Sequence, residues 1–174
     1  MKKKGQVYWF LGLSGSGKST LSKKLYDYLK EKNDNIKLID GDELREAIGG
    51  FMGYSIEERR KVINIIIYLV KTLSEYEIDV VVANISAFND LRIKAREEIE
   101  NYNEVYVKCS IEECARRDVK GYYQKALNEE IKNFIGIDQE FEEPVNPHLI
   151  LNSENETFNE CYQKLLNYIN LNKL

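Results

Sequence analysis

Several residue types that mark other classes of protein are scarce in this 174-residue sequence. Its three cysteines, Cys109, Cys114 and Cys161, are odd in number and lack C-x-x-C spacing, and His148 is the single histidine. These counts argue against a disulfide framework and against a structural zinc site. The longest nearly apolar run, residues 62–70, is too short to span a bilayer. We therefore expect no membrane partner.

An excess of charge of either sign is also absent. The chain has 25 Lys and Arg residues against 29 Asp and Glu residues, a formal net charge of −4. This balance gives no electrostatic reason to expect binding to nucleic acid or to an anionic membrane surface. The content of 43% hydrophobic and 31% charged residues is typical of a globular chain that buries a core. Residues 1–174 are predicted to form one domain.

What the sequence does contain is an alternation of strand and helix patterns. Apolar runs predict strands at residues 7–11, 37–39, 79–83, 105–109 and 149–151. Helical periods predict helices at residues 19–32, 55–75, 90–100, 110–117 and 156–170. This alternation predicts an α/β fold, a five-stranded parallel sheet with helices on both faces. The first strand leads into a glycine-rich segment without a small-residue cleavage site, so we expect a cytoplasmic domain.

Two serines mark predicted helix starts. Ser55 with Glu58, and Ser110 with Glu113, have the spacing of capping boxes. The helix after Ser55 also carries an apolar stripe that we expect to be buried, formed by Ile63, Ile66, Ile67 and Val70.

Residues 118–147, here called the lid segment, form the one long stretch that fits no layer of the sheet. Long irregular segments in compact domains are usually lids or binding loops. We expect this segment to cover a ligand, with Tyr122 and Tyr123 on its surface.

Residues 12–19 match the pattern G-x-x-x-x-G-K-[ST] at every position, between a predicted strand and a predicted helix. Glycines let backbone N–H groups wrap around a phosphate, Lys18 can reach the β- and γ-phosphates, and the Ser19 hydroxyl can bind Mg²⁺. The predicted triphosphate-binding residues are Gly12, Ser14, Gly15, Ser16, Gly17, Lys18, Ser19 and Thr20. The chain lacks the N-K-x-D motif of a GTPase, so we favour a kinase that acts on a small molecule.

Two carboxylates follow the second predicted strand, where a doubly wound sheet has its ligand crevice. Asp40 and Asp42 can serve Mg²⁺ with its waters and take the proton of an attacking hydroxyl. The alternative is an Asp-Gly turn with a helix N-cap.

These motifs together resemble the adenylylsulfate kinase family. The resemblance rests on residues 12–20, 40–42, 85–86, 117–121, 130–138 and 144–147, in the family's order. It implies a P-loop kinase fold, ATP and Mg²⁺ as cofactors, and transfer of the γ-phosphate to a ribose 3′-hydroxyl of a nucleotide acceptor. It also implies a possible homodimer.

The resemblance also implies roles for residues at the reacting centre. Asp42 would be the general base that holds the acceptor hydroxyl, and Lys18 would act on the transferred phosphate. Asp40 and Ser19 would support the metal ion. Arg117 falls where the family stacks an arginine on the adenine of ATP.

Further positions match residues of the family that hold the acceptor or line the lid. For the acceptor these are Arg45, Tyr54, Arg59, Ile85, Ser86 and Phe134, with Tyr54 and Phe134 on either side of the acceptor base. In the lid segment they are Lys120, Lys125 and Lys132, which approach the phosphates on closure. Simpler alternatives remain: lid packing for Tyr54 and Phe134, a solvated helix face for Arg59, and solvated lysines for Lys120 and Lys125.

The sequence departs from the family pattern at Glu43, at Val62, in the loop Ala87-Phe88-Asn89, and at Gln124 and Leu127 in the lid segment. They replace residues that the family has near the acceptor, so we expect a changed acceptor. The divergent cytidine diphosphoramidate kinase of capsule biosynthesis fits this expectation. Adenylylsulfate itself is the alternative acceptor, and a nucleotide-binding regulator without catalysis is a remote one.

Overall fold

The computed structural model describes residues 4–49 and 51–171, and residues 1–3, 50 and 172–174 of the predicted domain lie outside these ranges. Its strands are β1 (Val7–Leu11), β2 (Ile36–Asp40), β3 (Asp79–Ala83), β4 (Tyr102–Lys108) and β5 (Leu149–Asn152). Its helices are α1 (Lys18–Lys30), α2 (Gly41–Ala47), α3 (Ile56–Glu75), α4 (Asn89–Glu98), α5 (Ile111–Arg117), α6 (Tyr122–Leu127) and α7 (Phe158–Leu171).

The five strands form one parallel sheet in the order β2-β3-β1-β4-β5, which confirms the predicted architecture. The central strand β1 is buried along its whole length, as expected when helices cover both faces of a parallel sheet. In the ladder, Ala83 of β3 lies opposite Asp40 of β2 on one side and Phe10 of β1 on the other. The carboxyl ends of β2, β3 and β1 therefore meet side by side.

Two hydrophobic clusters hold the helices against the sheet. On one face, Leu21, Leu25 and Leu29 of α1 pack with residues of α7 such as Leu165. On the other face, the predicted stripe of α3 is buried and packs with α4. This second cluster also takes in Ile135 of the lid segment, so part of that segment belongs to the core.

The capping boxes were predicted correctly at α3 and in part at α5. Ser55 and Glu58 exchange both bonds of the box. At α5, Ser110 accepts a bond from the Glu113 N–H. The Glu113 carboxylate does not return to Ser110 but pairs with Arg116 and Arg117, two stronger, charged donors.

Helix α2 was missed by the sequence analysis. It is seven residues long, too short for a clear apolar period, and the Asp40 side chain caps it by accepting a bond from the Asp42 N–H. The lid segment contributes α6 and no strand of the described sheet. Within the described ranges, no helix combines the length and the apolar character needed to cross a membrane.

The packing of α3 gives a prediction about stability. Ile66 is fully buried in the cluster between α3 and the sheet. Ile66→Ala removes three carbons and leaves a cavity, so we expect the free energy of unfolding in urea to fall by about 2–5 kcal/mol. The control Ile93→Ala changes a 55% exposed isoleucine on α4 and should stay within about 0.5 kcal/mol. Equal losses in the two variants would contradict this description of the core.

Candidate active site

The glycine-rich loop between β1 and α1 has a backbone that needs glycine at two positions. Gly17 has a φ of 95° and Gly12 a φ of 146°, both in the region that side chains disfavour. A Cβ atom at Gly12 would also lie 2.5 Å from the carbonyl oxygen of Val107. The loop is therefore closely packed against β4 and leads into the start of α1, where the first N–H groups of a helix can bind an anion.

Lys18 extends back along this loop. Its ammonium nitrogen donates to the carbonyl oxygen of Leu13 at 3.1 Å. Burial lowers the pKa of Lys18 to about 8, because the nearby carboxylates of Asp42 and Asp40 offset the lost hydration only in part. A bound polyanion would supply the missing compensation, so the site fits the phosphates of a nucleotide.

Asp40 performs two roles at the end of β2. Its Oδ1 accepts the Asp42 N–H at 2.9 Å as the cap of α2, and its Oδ2 accepts the Ser19 hydroxyl at 3.2 Å. The N-cap alternative and the proximity to the phosphate loop are therefore both realised. Two oxygen donors beside a phosphate loop fit Mg²⁺, which takes one or two protein ligands and completes its shell with water and phosphate oxygens.

A cavity of about 230 Å³ opens beside this loop, beyond the carboxyl ends of β2 and β3. Most of the predicted site residues line it. They are Ser14, Lys18, Ser19, Asp40, Asp42, Arg45, Tyr54, Arg59, Ile85, Lys120, Lys132 and Phe134. The phosphate-binding end and the acceptor residues thus share one cavity.

Two arginines and Tyr54 form one wall of the cavity. Arg45 donates to the carbonyl oxygen of Gly53 at 2.6 Å, and the guanidinium carbons of Arg45 and Arg59 lie 4.7 and 5.1 Å from the centre of the Tyr54 ring. Arg59 donates to the carbonyl oxygens of Tyr54 at 2.9 Å and Asn133 at 2.7 Å. It is only 8% exposed, so the alternative of a solvated helix face is wrong.

Phe134 faces this wall from the lid segment. Its ring packs edge-on against Tyr123 at 4.9 Å between ring centres, and it also lines the cavity. Lid packing and contact with the cavity are therefore compatible for this residue. Lys120 projects from the same segment and forms an ion pair with Asp42 at the cavity, and its side chain is also exposed to solvent.

Some predicted site residues lie outside the cavity lining. The Ser86 hydroxyl accepts from the Trp9 indole at 2.9 Å, so its side chain points into the core. Arg117 donates to Glu113 and to the carbonyl oxygen of Ser153 at 2.6 Å. The Ser153 hydroxyl in turn donates to Ser16 of the phosphate loop, which links Arg117 to that loop. Lys125 lies on α6, away from the cavity lining.

The sequence analysis missed several residues of the cavity. These are Gly41, Ala83, Asn84, Tyr122, Ile131 and Asn133. Ala83 and Asn84 had a usable signal, because they stand at the carboxyl end of a predicted strand, where α/β folds bind ligands. Ile131 and Asn133 lie within residues 130–138, which carried the resemblance. Tyr122 had no signal, since its position depends on how an irregular segment folds back.

The structure also locates the positions that depart from the family pattern. Val62 is buried in the core, and Asn89 accepts from Arg92 and donates from its backbone to Glu142. Glu43, Gln124 and Leu127 are exposed. None of these positions lines the main cavity, but Ala87 and Phe88 line a small recess beside it, together with Arg45 and Arg59. The departures therefore alter this recess and not the lining of the main cavity.

Comparisons with known proteins identify one family. Residues 4–152 match the model of the family described as adenylylsulphate kinase. The chain is 38% identical to the adenylyl-sulfate kinase of Clostridium acetobutylicum, covering all of this chain and 88% of that protein. It is 37% identical to the enzyme of the same name from Picosynechococcus, covering 95% and 94%. The solved Mycobacterium tuberculosis APS kinase in complex with AMPPNP and APS has a TM-score of 0.89 and 32% identity, with 97% and 99% covered.

Tyr123 departs from its expected place on the surface and gives a second prediction. It is 1% exposed, and its hydroxyl donates to the Ser14 carbonyl oxygen at 2.9 Å, which ties the lid segment to the phosphate loop. Tyr123→Phe removes this bond, and we expect the free energy of unfolding to fall by about 1 kcal/mol.

The neighbouring Tyr122 provides a matched control. It is 42% exposed, and Tyr122→Phe should change the free energy of unfolding by less than about 0.5 kcal/mol. Urea titrations of both variants measure the difference. If Tyr123→Phe is as stable as the parent chain, the hydroxyl does not tie the two segments together.

Proposed function

This chain belongs to the adenylylsulphate kinase family of ATP-dependent P-loop kinases, and we propose that it phosphorylates the ribose 3′-hydroxyl of adenylylsulfate to give 3′-phosphoadenylylsulfate. The observation that carries this proposal is one cavity that joins a phosphate loop, a carboxylate and two arginines. Adenylylsulfate has an adenine ring, a ribose and an anionic phosphosulfate group. In the cavity, aromatic rings would contact the adenine, Asp42 would contact the ribose hydroxyl, and Arg45 and Arg59 would bind the phosphosulfate group.

In the proposed reaction, the acceptor's 3′-hydroxyl oxygen attacks the γ-phosphorus of ATP. A bond forms between them while the bond from the γ-phosphorus to the β-phosphate oxygen breaks, and ADP leaves. Asp42 takes the proton of the attacking hydroxyl. Lys18 stabilises the negative charge on the phosphates. Ser19 and Asp40 would hold Mg²⁺, which neutralises phosphate charge when bound.

The ion pair between Lys120 and Asp42 has a direct bearing on this assignment. A paired carboxylate is held at the cavity, and it accepts the acceptor's proton only after the lysine moves away. The phosphates of ATP compete for the Lys120 ammonium group, since they carry more negative charge than one carboxylate. Binding of ATP would therefore release Asp42 for the acceptor.

The acceptor base is proposed to stack between Tyr54 and Phe134. Both rings line the cavity from opposite segments, one before α3 and one from the lid segment. Base–aromatic stacking contributes about 1–3 kcal/mol per base. The guanidinium groups of Arg45 and Arg59 beside Tyr54 fit the anionic end of the acceptor.

The expectation of cytidine diphosphoramidate as acceptor finds no support. The curated relatives reported above are named adenylyl-sulfate kinases. The departures that suggested a changed acceptor lie outside the lining of the main cavity, and only Ala87 and Phe88 line the recess beside it. The alternative of a regulator without catalysis is disfavoured by Asp42, which stands in the cavity beside the phosphate-binding residues. A cytoplasmic location and a homodimer stay predictions.

A direct assay tests the proposed function. The purified chain is given MgATP with adenylylsulfate in one reaction and with cytidine diphosphoramidate in another, and the products are identified by phosphorus NMR. We expect a new ribose 3′-phosphate on adenylylsulfate and little turnover of the cytidine compound. Turnover of the cytidine compound alone would reverse the choice of acceptor, and turnover of neither would favour the regulator.

The role of Asp42 gives a separate prediction. Asp42→Asn keeps the size of the side chain but removes the base, so kcat should fall about a hundredfold to ten-thousandfold while the KM for ATP changes little. Initial rates with adenylylsulfate measure this. Asp34→Asn is the control, because the Asp34 side chain is 98% exposed and precedes β2, at the opposite end of that strand from the cavity. Full activity of Asp42→Asn would refute the assignment of the base.

A further inference from the structure

We propose that Asn84 is a specificity-determining residue that donates a hydrogen bond from its side-chain amide to an oxygen of the acceptor's anionic group. This inference rests on the proposed function and adds to it a contact at the acceptor end of the cavity. Neither the motifs nor the resemblance pointed to this residue. Three observations support it: its place in the sheet, its unpartnered amide nitrogen and its charged surroundings.

Asn84 stands where the two halves of the site meet. It directly follows β3, the strand that lies between β2 and β1. Its backbone N–H donates to the Phe10 carbonyl oxygen at 3.1 Å, which continues the ladder with β1 by one step. On the other side, Gly41 is so close that a Cβ atom there would lie 3.0 Å from the Asn84 Cγ. The residue therefore lies between the end of β1, which leads into the phosphate loop, and the segment that carries Asp42.

The amide nitrogen of Asn84 is buried and has no hydrogen-bond partner among the described residues. Buried donors in native proteins are almost always paired, because an unpaired one loses its hydration without compensation. Asn84 lines the cavity, and the exceptions to this rule are common at functional sites. Because Asn84 lines the cavity, a rotation of its side chain would turn this unpaired donor toward an acceptor atom of a bound ligand.

The surroundings of Asn84 identify the class of that acceptor atom. Besides the main cavity, Asn84 lines a small recess with Arg45, Arg59, Ile85 and Ser86. Arg45 and Arg59 line both spaces, and each uses only part of its set of N–H donors on backbone carbonyl oxygens. An N–H donor beside two cations favours an anionic oxygen, such as one of a phosphate or sulfate group. Asn84 would complete a set of donors at the anionic end of the acceptor.

Two variants test this role. Asn84→Leu keeps the approximate size of the side chain and removes the donor, and Asn84→Asp replaces the donor with a carboxylate that repels an anion. We expect the KM for adenylylsulfate to rise about tenfold in the first variant and further in the second. The KM for ATP should stay within about twofold in the leucine variant. The exposed Asn167 on α7 supplies the control, Asn167→Leu.

Thermal unfolding separates this role from a structural one. Because Asn84→Leu removes an unpaired buried donor, the Tm of the free protein should rise by about 2 °C while acceptor binding weakens. A lower Tm with equal increases in both KM values would show a packing role and overturn the proposal. An unchanged KM for adenylylsulfate would overturn it as well.

Binding and activity measurements on the parent chain distinguish failure of the proposed function from failure of the role of Asn84. If the parent chain binds adenylylsulfate by calorimetry in the presence of ADP but does not phosphorylate it, the proposed function fails. Weaker binding by Asn84→Leu would then still support the role of Asn84, and equal binding would overturn it. If the parent chain does not bind adenylylsulfate, the titration is repeated with cytidine diphosphoramidate. Weaker binding of that compound by Asn84→Leu would support the role of Asn84, and equal binding would overturn it.

Discussion

The parallel pairing of β2, β3 and β1 is the constraint on which the site depends. Because the strands run in the same direction and Ala83 is in register with both Asp40 and Phe10, the chain leaves the sheet at one edge three times. The segments that follow are the phosphate loop, the start of α2 and the turn at Asn84. Each segment is short and closely packed, so the sheet itself places their polar groups around one cavity.

The lid segment is attached to this edge by a few specific contacts rather than by a layer of the sheet. Tyr123 bonds to the phosphate loop, Arg59 of α3 bonds to Asn133, and Lys120 pairs with Asp42. Phe134 and Ile135 add apolar contacts with the core. The contacts at Asp42 and Ser14 involve the groups that would meet the substrates. Ligand binding and the position of the segment are therefore physically coupled.

The charges in the cavity are unequal in a way that suits two anionic substrates. Lys18, Arg45, Arg59, Lys120 and Lys132 line it, against the two carboxylates of Asp40 and Asp42. The effect is visible at Lys18, whose pKa burial lowers to about 8, and at Arg59, whose pKa burial and the neighbouring Arg45 lower to about 10. In both groups the loss of hydration outweighs the effect of the nearby carboxylates, so the charged forms gain from a bound anion. Phosphate and sulfate groups would provide this negative charge.

By itself the sequence determined the strand and helix pattern, the phosphate loop and the pair Asp40 and Asp42. The pattern depends on local periodicity, the loop on a glycine-rich motif whose backbone can wrap around a phosphate, and the carboxylates on their place after a strand. The sequence also indicated the family, through residues 12–20, 40–42, 85–86, 117–121, 130–138 and 144–147. Only the tertiary structure decided that Arg59 and Tyr123 are buried, that Ser86 faces Trp9, and that Val62 and Asn89 lie outside the cavity lining. These facts depend on how an irregular segment folds back onto α3 and on which strands are neighbours. Both are set by contacts between residues far apart in the chain, which no local pattern records.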